Sequence, residues 1–179
     1  MKPFVIAEIG CNHMGQMDIA KEMIRMAAIF CKVDAIKFQK RNPKELLTPE
    51  EYNAPHPNPA NSYGATYGEH REYLEFTLEQ HEELKRECEA NGVIYSTSVW
   101  DTTSALEIAS LKPAFIKIPS ACNLDFAMLG KLLDVYNGEI HLSLGMTTKE
   151  EELRILQFFA ERDRLRQLIL YSCVSGYPV

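Results

Sequence analysis

Two lysines lie within short apolar segments, where a charged side chain is unusual. Lys37 lies in the segment 34–39 and Lys117 in the segment 115–118. A lysine in a buried strand either extends its ammonium group to solvent or pairs with a counter-ion, which is a carboxylate of the protein or an anionic group of a ligand. Hydroxyl side chains follow other apolar segments: Ser96, Thr97, Ser98, Ser120, Ser143, Ser172 and Ser175. The pattern predicts a binding site for an anion that carries phosphate or carboxylate.

Three further side chains accompany the first of these lysines. Glu8 ends the first apolar segment, where it is either a strand-end ion-pair partner or a catalytic carboxylate. Gln39 is expected on the same strand face as Lys37, with the apolar residues between them on the other face. His13 lies in the loop that follows Glu8, and two roles are open for it: donating a hydrogen bond to substrate, or holding the loop.

Six apolar, β-branched segments predict the strands that position these side chains: 4–9, 33–38, 93–97, 114–118, 140–144 and 168–172. Most are continuously apolar, as in parallel strands covered on both faces. Helical patterns lie between them, and Thr148 with Glu151 forms a predicted capping box. Repeated strand–helix units indicate a parallel α/β sheet, either doubly wound or a (β/α)8 barrel. In both folds ligands bind beyond the carboxyl ends of the strands.

Residues 41–70 interrupt this repeat. They contain five of the nine prolines, as well as Gly64 and Gly68, and they show no hydrophobic periodicity. We therefore expect a long βα loop after the second strand. Long loops in compact domains are commonly functional or mobile.

Composition excludes several classes of protein. The chain of 179 residues is 46% hydrophobic and 25% charged, which is typical of a soluble globular domain. A net charge of −6 argues against nonspecific nucleic-acid binding. We expect neither a membrane span nor a signal peptide, because charged residues interrupt every apolar run. The five scattered cysteines favour reduced thiols in a cytoplasm, and the histidines lack metal-ligand spacing.

Several segments together resemble the sialic acid synthase family, the phosphoenolpyruvate-dependent nonulosonate synthases. Residues 7–15 (AEIGCNHMG) resemble the opening motif AEIGxNHxG, and residues 34–39 (DAIKFQ) resemble the second-strand motif. Later motifs are matched in order by residues 96–98 (STS), 116–120 (IKIPS), 142–146 (LSLGM) and 172–178 (SCVSGYP). The resemblance implies a (β/α)8 TIM barrel, with about six of its eight βα units in one domain, residues 1–179.

The resemblance also implies an activity. The family condenses phosphoenolpyruvate with N-acetylmannosamine or a similar mannose-type aldehyde, giving a 2-keto-3-deoxy nine-carbon acid and phosphate. It implies Glu8 as the acid–base carboxylate, and Gln39, His13 and Cys122 on the acceptor side. The residues implied to bind phosphoenolpyruvate are Lys37, Thr97, Lys117, Ser120, Ser143 and Ser175. A divalent Mn or Mg ion, a homodimer and a cytoplasmic location are expected for the full-length enzyme.

The sequence departs from the family pattern at identifiable positions. Ala121 and Cys122 replace a glycine and an acidic residue associated with sugar hydroxyls, and Ser172 and Val174 replace a histidine and a threonine. The metal-binding histidines and the last two barrel strands of the family are expected beyond Val179. We therefore expect no metal ligands within this chain.

Two alternatives remain open from the sequence. One is a related phosphoenolpyruvate aldolase with a sugar-phosphate acceptor, suggested by His56, His70 and Arg71 in and beside the predicted loop. The other is a noncatalytic truncated barrel that keeps only the anion pocket.

Overall fold

The computed structural model describes residues 2–176, in which strands and helices alternate. The strands are β1 (Ile6–Gly10), β2 (Ala35–Lys40), β3 (Ile94–Val99), β4 (Phe115–Ile118), β5 (Glu139–Ser143) and β6 (Leu168–Tyr171). The helices are α1 (Met17–Ile29), α2 (Pro43–Leu46), α3 (Pro49–Asn53), α4 (Tyr67–Leu74), α5 (Leu78–Ala90), α6 (Thr102–Ser110), α7 (Phe126–Val135) and α8 (Lys149–Ala160). The predicted α/β architecture with six parallel strands is confirmed.

The chain forms two compact units, residues 1–97 and 98–179. In the first unit β1 pairs with β2 in parallel, and Glu8 is in register with Lys37. In the second unit β5 pairs in parallel with both β4 and β6. Here Lys117 is in register with His141, and Ser143 with Tyr171. Each unit has its own apolar core between its strands and helices.

Side-chain alternation in β2 follows the prediction. Ile36 and Phe38 are fully buried in the core of the first unit, while Lys37 and Gln39 are partly exposed on the other face. In the second unit every residue of β4 is buried, including Lys117. This strand therefore places an ammonium group where solvent does not reach it freely.

The connection between β2 and α5 contains more regular structure than the predicted loop 41–70. It contains α2, α3, a 3₁₀ turn at Pro59–Asn61 and the start of α4. Thr48 and Thr66 each begin a helix with a capping box, and Asn42 caps α2 through its side chain. These helices are too short to show hydrophobic periodicity, so their caps were the only local signal.

The other predicted boundaries agree with the structure to within a few residues. The first strand begins at Ile6 instead of residue 4, and Phe4 and Val5 are exposed. The predicted capping box at Thr148 is present at the start of α8. Among residues 2–176, no helix is both long and apolar enough to cross a membrane.

Candidate functional site

Lys117 is a buried cation at the end of β4. The residue is 7% exposed, and its Nζ donates hydrogen bonds to the Ser143 Oγ at 2.5 Å and to the Ile118 carbonyl at 2.7 Å. The ammonium also lies 5.2 Å from the centre of the Tyr171 ring. Burial lowers the pKa of Lys117 to about 8, so the group is still mostly charged at neutral pH.

No carboxylate within residues 2–176 forms an ion pair with Lys117. Its partners are a hydroxyl, a carbonyl and an aromatic face, and none of these carries a full negative charge. A buried cation with only neutral partners is costly, and an anionic ligand would compensate it. The arrangement is therefore suited to binding phosphate or carboxylate.

Two serine hydroxyls meet beside Gly145, in the turn after β5. A Cβ atom placed on Gly145 would lie 2.5 Å from the Ser120 Oγ and 2.8 Å from the Ser175 Oγ. Only glycine leaves this space open while the two hydroxyls keep their positions. The Asn123 amide fixes the turn by donating to the Ser143 carbonyl at 2.9 Å and to the Gly145 carbonyl at 3.4 Å.

Sequence reasoning identified Ser120, Ser143 and Ser175 but missed Asn123 and Gly145. Gly145 lies within the motif at residues 142–146, but its role depends on the close approach of Ser120 and Ser175, which come from two other segments of the chain. Asn123 gave no signal beyond its polarity. The last part of the final motif, residues 177–178, lies outside the described residues.

Cys122 lies in the apolar core of the second unit instead of at an open surface. Its thiol donates to the Trp100 carbonyl at 3.2 Å, and burial raises its pKa to about 11. This neutral, inward-facing thiol has a packing role in the structure.

In the first unit, Lys37 forms an ion pair with Glu8 on the neighbouring strand. The pair follows from the register of β1 and β2, which places the two residues opposite each other. The Lys37 side chain is 13% exposed and that of Glu8 is 54% exposed, so the carboxylate remains accessible to solvent. Lys37 therefore has a protein counter-ion, in contrast to Lys117.

Gln39 contacts the loop after β1. Its amide Nε2 lies 2.8 Å from the Cys11 Sγ, and the Arg41 Nη2 lies 3.0 Å from the same sulfur. Arg41 is anchored by Glu75 through the guanidinium, at 2.7 Å, and the backbone N–H, at 2.9 Å. Both members of this pair are buried, and neither was identified from the sequence. Their separation of 34 residues left no local pattern.

His13 is 1% exposed and stacks on Phe76, with ring centres 4.1 Å apart. Its Nδ1 accepts a hydrogen bond from the Gly15 backbone N–H at 3.1 Å. Burial lowers the pKa of His13 to about 4, which keeps the ring neutral at physiological pH. Of the two roles left open, the structure shows the one in which His13 holds its own loop.

Thr97 is fully buried, and its hydroxyl donates to the Tyr95 Oη at 2.7 Å. The Tyr95 Oη lies in turn 2.8 Å from the Nδ1 of His81. Burial lowers the pKa of His81 to about 3, so this buried histidine is also neutral. Thr97 thus belongs to an internal hydrogen-bond network of the first unit, which the sequence did not reveal.

The described residues do not fit the divalent ion that the resemblance implies. Among residues 2–176, no three His, Cys, Asp or Glu side chains are grouped so that they could hold a metal ion. The groups that these residues offer for chemistry are therefore the lysine ammonium groups, the serine hydroxyls and the Glu8 carboxylate.

Comparison with known proteins identifies the family. Residues 23–179 match the model of the NeuB family. The chain is 35% identical to N-acetylneuraminate-9-phosphate synthase of Drosophila melanogaster, with 98% of this chain and 46% of that protein aligned. The human protein of the same name is 32% identical over 98% of this chain and 48% of its own length. N,N'-diacetyllegionaminic acid synthase of Campylobacter jejuni is 28% identical over 99% of this chain and 53% of its own length. The chain thus spans about half the length of these relatives.

Solved structures show the same fold. The chain superposes on an N-acetylneuraminic acid synthetase from Leptospira borgpetersenii with a TM-score of 0.79 and 25% identity, over 98% of this chain and 55% of that one. A truncated 3-deoxy-D-arabino-heptulosonate 7-phosphate synthase from Thermotoga maritima gives a TM-score of 0.62 at 17% identity, covering 93% of this chain and 50% of that one, which shows the fold alone. The family match extends over most of the chain, and the chain belongs to the NeuB family of sialic acid synthases.

Proposed function

We propose that this chain is the phosphoenolpyruvate-binding part of a nonulosonate synthase. The observation that carries the proposal is Lys117, a buried ammonium that hydrogen-bonds a hydroxyl and a carbonyl and forms no ion pair with a carboxylate of residues 2–176. Phosphoenolpyruvate has a phosphate and a carboxylate, and either group supplies the missing negative charge. The choice of this anion follows the resemblance to the phosphoenolpyruvate-dependent nonulosonate synthases, and the match to the NeuB family supports that resemblance.

The proposed reaction forms one carbon–carbon bond and releases one phosphate. Carbon 3 of phosphoenolpyruvate attacks the aldehyde carbon of a mannose-type sugar, and water adds to carbon 2. The carbon 2–oxygen bond then breaks, which releases inorganic phosphate and leaves the 2-keto group. Negative charge grows on the departing phosphate, and a preorganised cation with hydroxyl donors stabilises that charge.

The residues have separate roles in this proposal. Lys117 and Ser143 bind the phosphate or carboxylate through charge-assisted and hydroxyl hydrogen bonds. Ser120 and Ser175 donate beside Gly145. Glu8 is proposed as the acid–base carboxylate, because it is solvent-accessible and is held in place by Lys37. Metal dependence of the whole synthase stays a prediction.

Calorimetric titration with phosphoenolpyruvate tests the proposal. Lys117→Met is expected to weaken binding roughly 100-fold, because it removes a charge-assisted contact in a buried site. Lys131→Met on the exposed face of α7 is the matched control, and it is expected to bind as the wild type does. Equal affinity in the wild type and Lys117→Met would show that the anion does not bind at this lysine.

A further inference from the structure

Three further side chains lie beside Lys117 on the strands of the second unit. We define the Glu–His–Tyr network as Glu139 and His141 of β5 together with Tyr171 of β6. Glu139 and His141 are two residues apart on β5, so their side chains lie on the same face of the sheet. The parallel register places His141 opposite Lys117 on the neighbouring strand. The motifs that carry the family resemblance contain none of these three residues.

Two hydrogen bonds join the members of the network. The Tyr171 Oη lies 2.8 Å from the His141 Nδ1, and the His141 Nε2 lies 3.2 Å from a Glu139 carboxylate oxygen. Burial lowers the pKa of His141, so at physiological pH the imidazole is neutral and carries one ring proton. Because a carboxylate only accepts hydrogen bonds, this proton lies on Nε2. The Tyr171 hydroxyl therefore donates to Nδ1.

Packing fixes the histidine at the centre of the network. His141 is 6% exposed and stacks on Phe115 of β4, with ring centres 4.0 Å apart and ring planes 17° apart. The orientation of a tyrosine ring depends on only two side-chain torsions, and here a buried imidazole holds the hydroxyl at its far end. The Tyr171 ring therefore cannot turn away from its position without breaking a hydrogen bond.

The anchored ring of Tyr171 lies against Lys117. The Lys117 Nζ is 5.2 Å from the ring centre, within the range of cation–π attraction. The same Nζ donates to the Ser143 Oγ, although the lysine side chain is a flexible four-carbon chain. Attraction to a fixed ring keeps the ammonium at this hydroxyl and favours its charged form over the neutral amine. The other titratable groups in electrostatic contact with Lys117 are His141 and Cys173, which follows β6.

Resting on the function proposed above, we infer that Tyr171 is a positioning residue for phosphoenolpyruvate binding, and that His141 acts by anchoring Tyr171. The ring holds the Lys117 ammonium beside Ser143, where the anion binds. Loss of the ring should therefore weaken binding and should also make binding fail at a lower pH. Loss of the anchor alone should have a smaller effect, because an unanchored ring still contacts the ammonium for part of the time.

Calorimetric titration of the 179-residue chain with phosphoenolpyruvate, from about pH 6.5 to about pH 9.5, tests the inference. Tyr171→Leu removes the ring and is expected to weaken binding roughly tenfold at neutral pH. The pH at which affinity falls should decrease by about half a unit or more in this variant, because the ammonium loses its aromatic partner. Tyr171→Phe keeps the ring without its anchor, and it should lose about threefold in affinity and keep the wild-type pH dependence.

Tyr136→Phe is the matched control. Tyr136 is a buried tyrosine of the same unit, and its hydroxyl donates to the Pro113 carbonyl at 2.7 Å. This variant also loses a phenol hydrogen bond, but it is expected to bind phosphoenolpyruvate as the wild type does at every pH. A loss of affinity in Tyr136→Phe equal to that in Tyr171→Phe would assign both losses to general destabilisation and would overturn the inference.

A double-mutant cycle tests whether His141 acts through Tyr171. His141→Leu is expected to weaken phosphoenolpyruvate binding about threefold, and the double variant with Tyr171→Phe should bind no more weakly than either single variant. Losses that multiply in the double variant would show that the histidine acts independently of the phenol.

Unchanged affinity and pH dependence in Tyr171→Leu would refute the role of the ring. Circular dichroism melting curves identify a variant whose loss comes from unfolding, and Tyr171→Phe with the cycle then decides. The Lys117→Met titration separates the two proposals. Wild-type binding that Lys117→Met weakens and Tyr171→Leu leaves unchanged would refute the positioning role alone, whereas absent binding in the wild type would refute the proposed function and the inference with it.

Discussion

Replacing Lys117 with methionine is expected to stabilise the folded chain. Burial lowers the pKa of Lys117 from 10.5 to about 8. Since one pKa unit corresponds to about 1.4 kcal/mol, the buried ammonium costs the folded state about 3 kcal/mol at neutral pH. Methionine fills a similar volume without a charge, but it loses the hydrogen bonds to Ser143 and Ile118. We expect a net gain of about 2 kcal/mol in the free energy of unfolding.

The gain has a defined pH dependence. The folded-state pKa of Lys117 lies below the unfolded-state value, so the unfolded chain binds more protons between about pH 8 and 10.5. Titration of Lys117 therefore raises the free energy of unfolding of the wild type as the pH rises across this window. The methionine variant has no lysine at this position, so its stability lacks this rise. The difference in unfolding free energy between the two proteins should narrow by about 2 kcal/mol between about pH 7 and about pH 9.5.

Urea denaturation of both proteins at the two pH values measures these differences. Titratable groups that do not interact with Lys117 contribute equally to both proteins and cancel in the comparison. A variant less stable than the wild type at neutral pH would show that Lys117 has a compensating partner. If the difference in unfolding free energy between the two proteins does not change with pH, Lys117 titrates in the folded protein as it does in water. Either result would remove the reason for assigning an anion to this position.

Three further predictions concern the same regions of the chain, and a fourth concerns pH. Gly145→Ala should weaken phosphoenolpyruvate binding roughly tenfold in calorimetry, because the new methyl group would displace the Ser120 hydroxyl. Unchanged affinity would contradict the close approach of the Ser120 hydroxyl to Gly145. Glu8→Gln should lower the free energy of unfolding, measured by urea denaturation, by about 1 kcal/mol or less, because the Glu8 side chain is 54% exposed. The affinity of this variant for phosphoenolpyruvate should stay within about twofold of the wild type. A larger stability loss would mean that the ion pair with Lys37 is structural. Thr148→Ala should lower the free energy of unfolding by about 1 kcal/mol through loss of the α8 capping box, and an unchanged value would show that the cap is dispensable. Phosphoenolpyruvate affinity of the wild type should fall as the pH rises above about 8, since Lys117 then loses its proton, and a flat profile from about pH 7 to about pH 9.5 would contradict that assignment.

Much of the fold could be predicted because its signals are local. The apolar segments gave six strands, and the two-residue period of β2 placed Lys37 and Gln39 opposite the buried Ile36 and Phe38. Thr148 and Glu151 gave the start of α8 through their spacing alone. The short helices within 41–70 could not be predicted in this way, because a helix of one or two turns has no hydrophobic period to detect.

Local sequence could not show which of the two strand lysines has a carboxylate partner. Lys37 and Lys117 occupy similar apolar segments, but β1 places the Glu8 carboxylate opposite Lys37, whereas β5 and β6 place a hydroxyl and an aromatic ring beside Lys117. The sequence alone therefore determined that the apolar strands carry lysines and hydroxyl groups. Only the tertiary structure decided which cation still needs an anion, because charge compensation depends on distance in space and the compensating groups come from other strands.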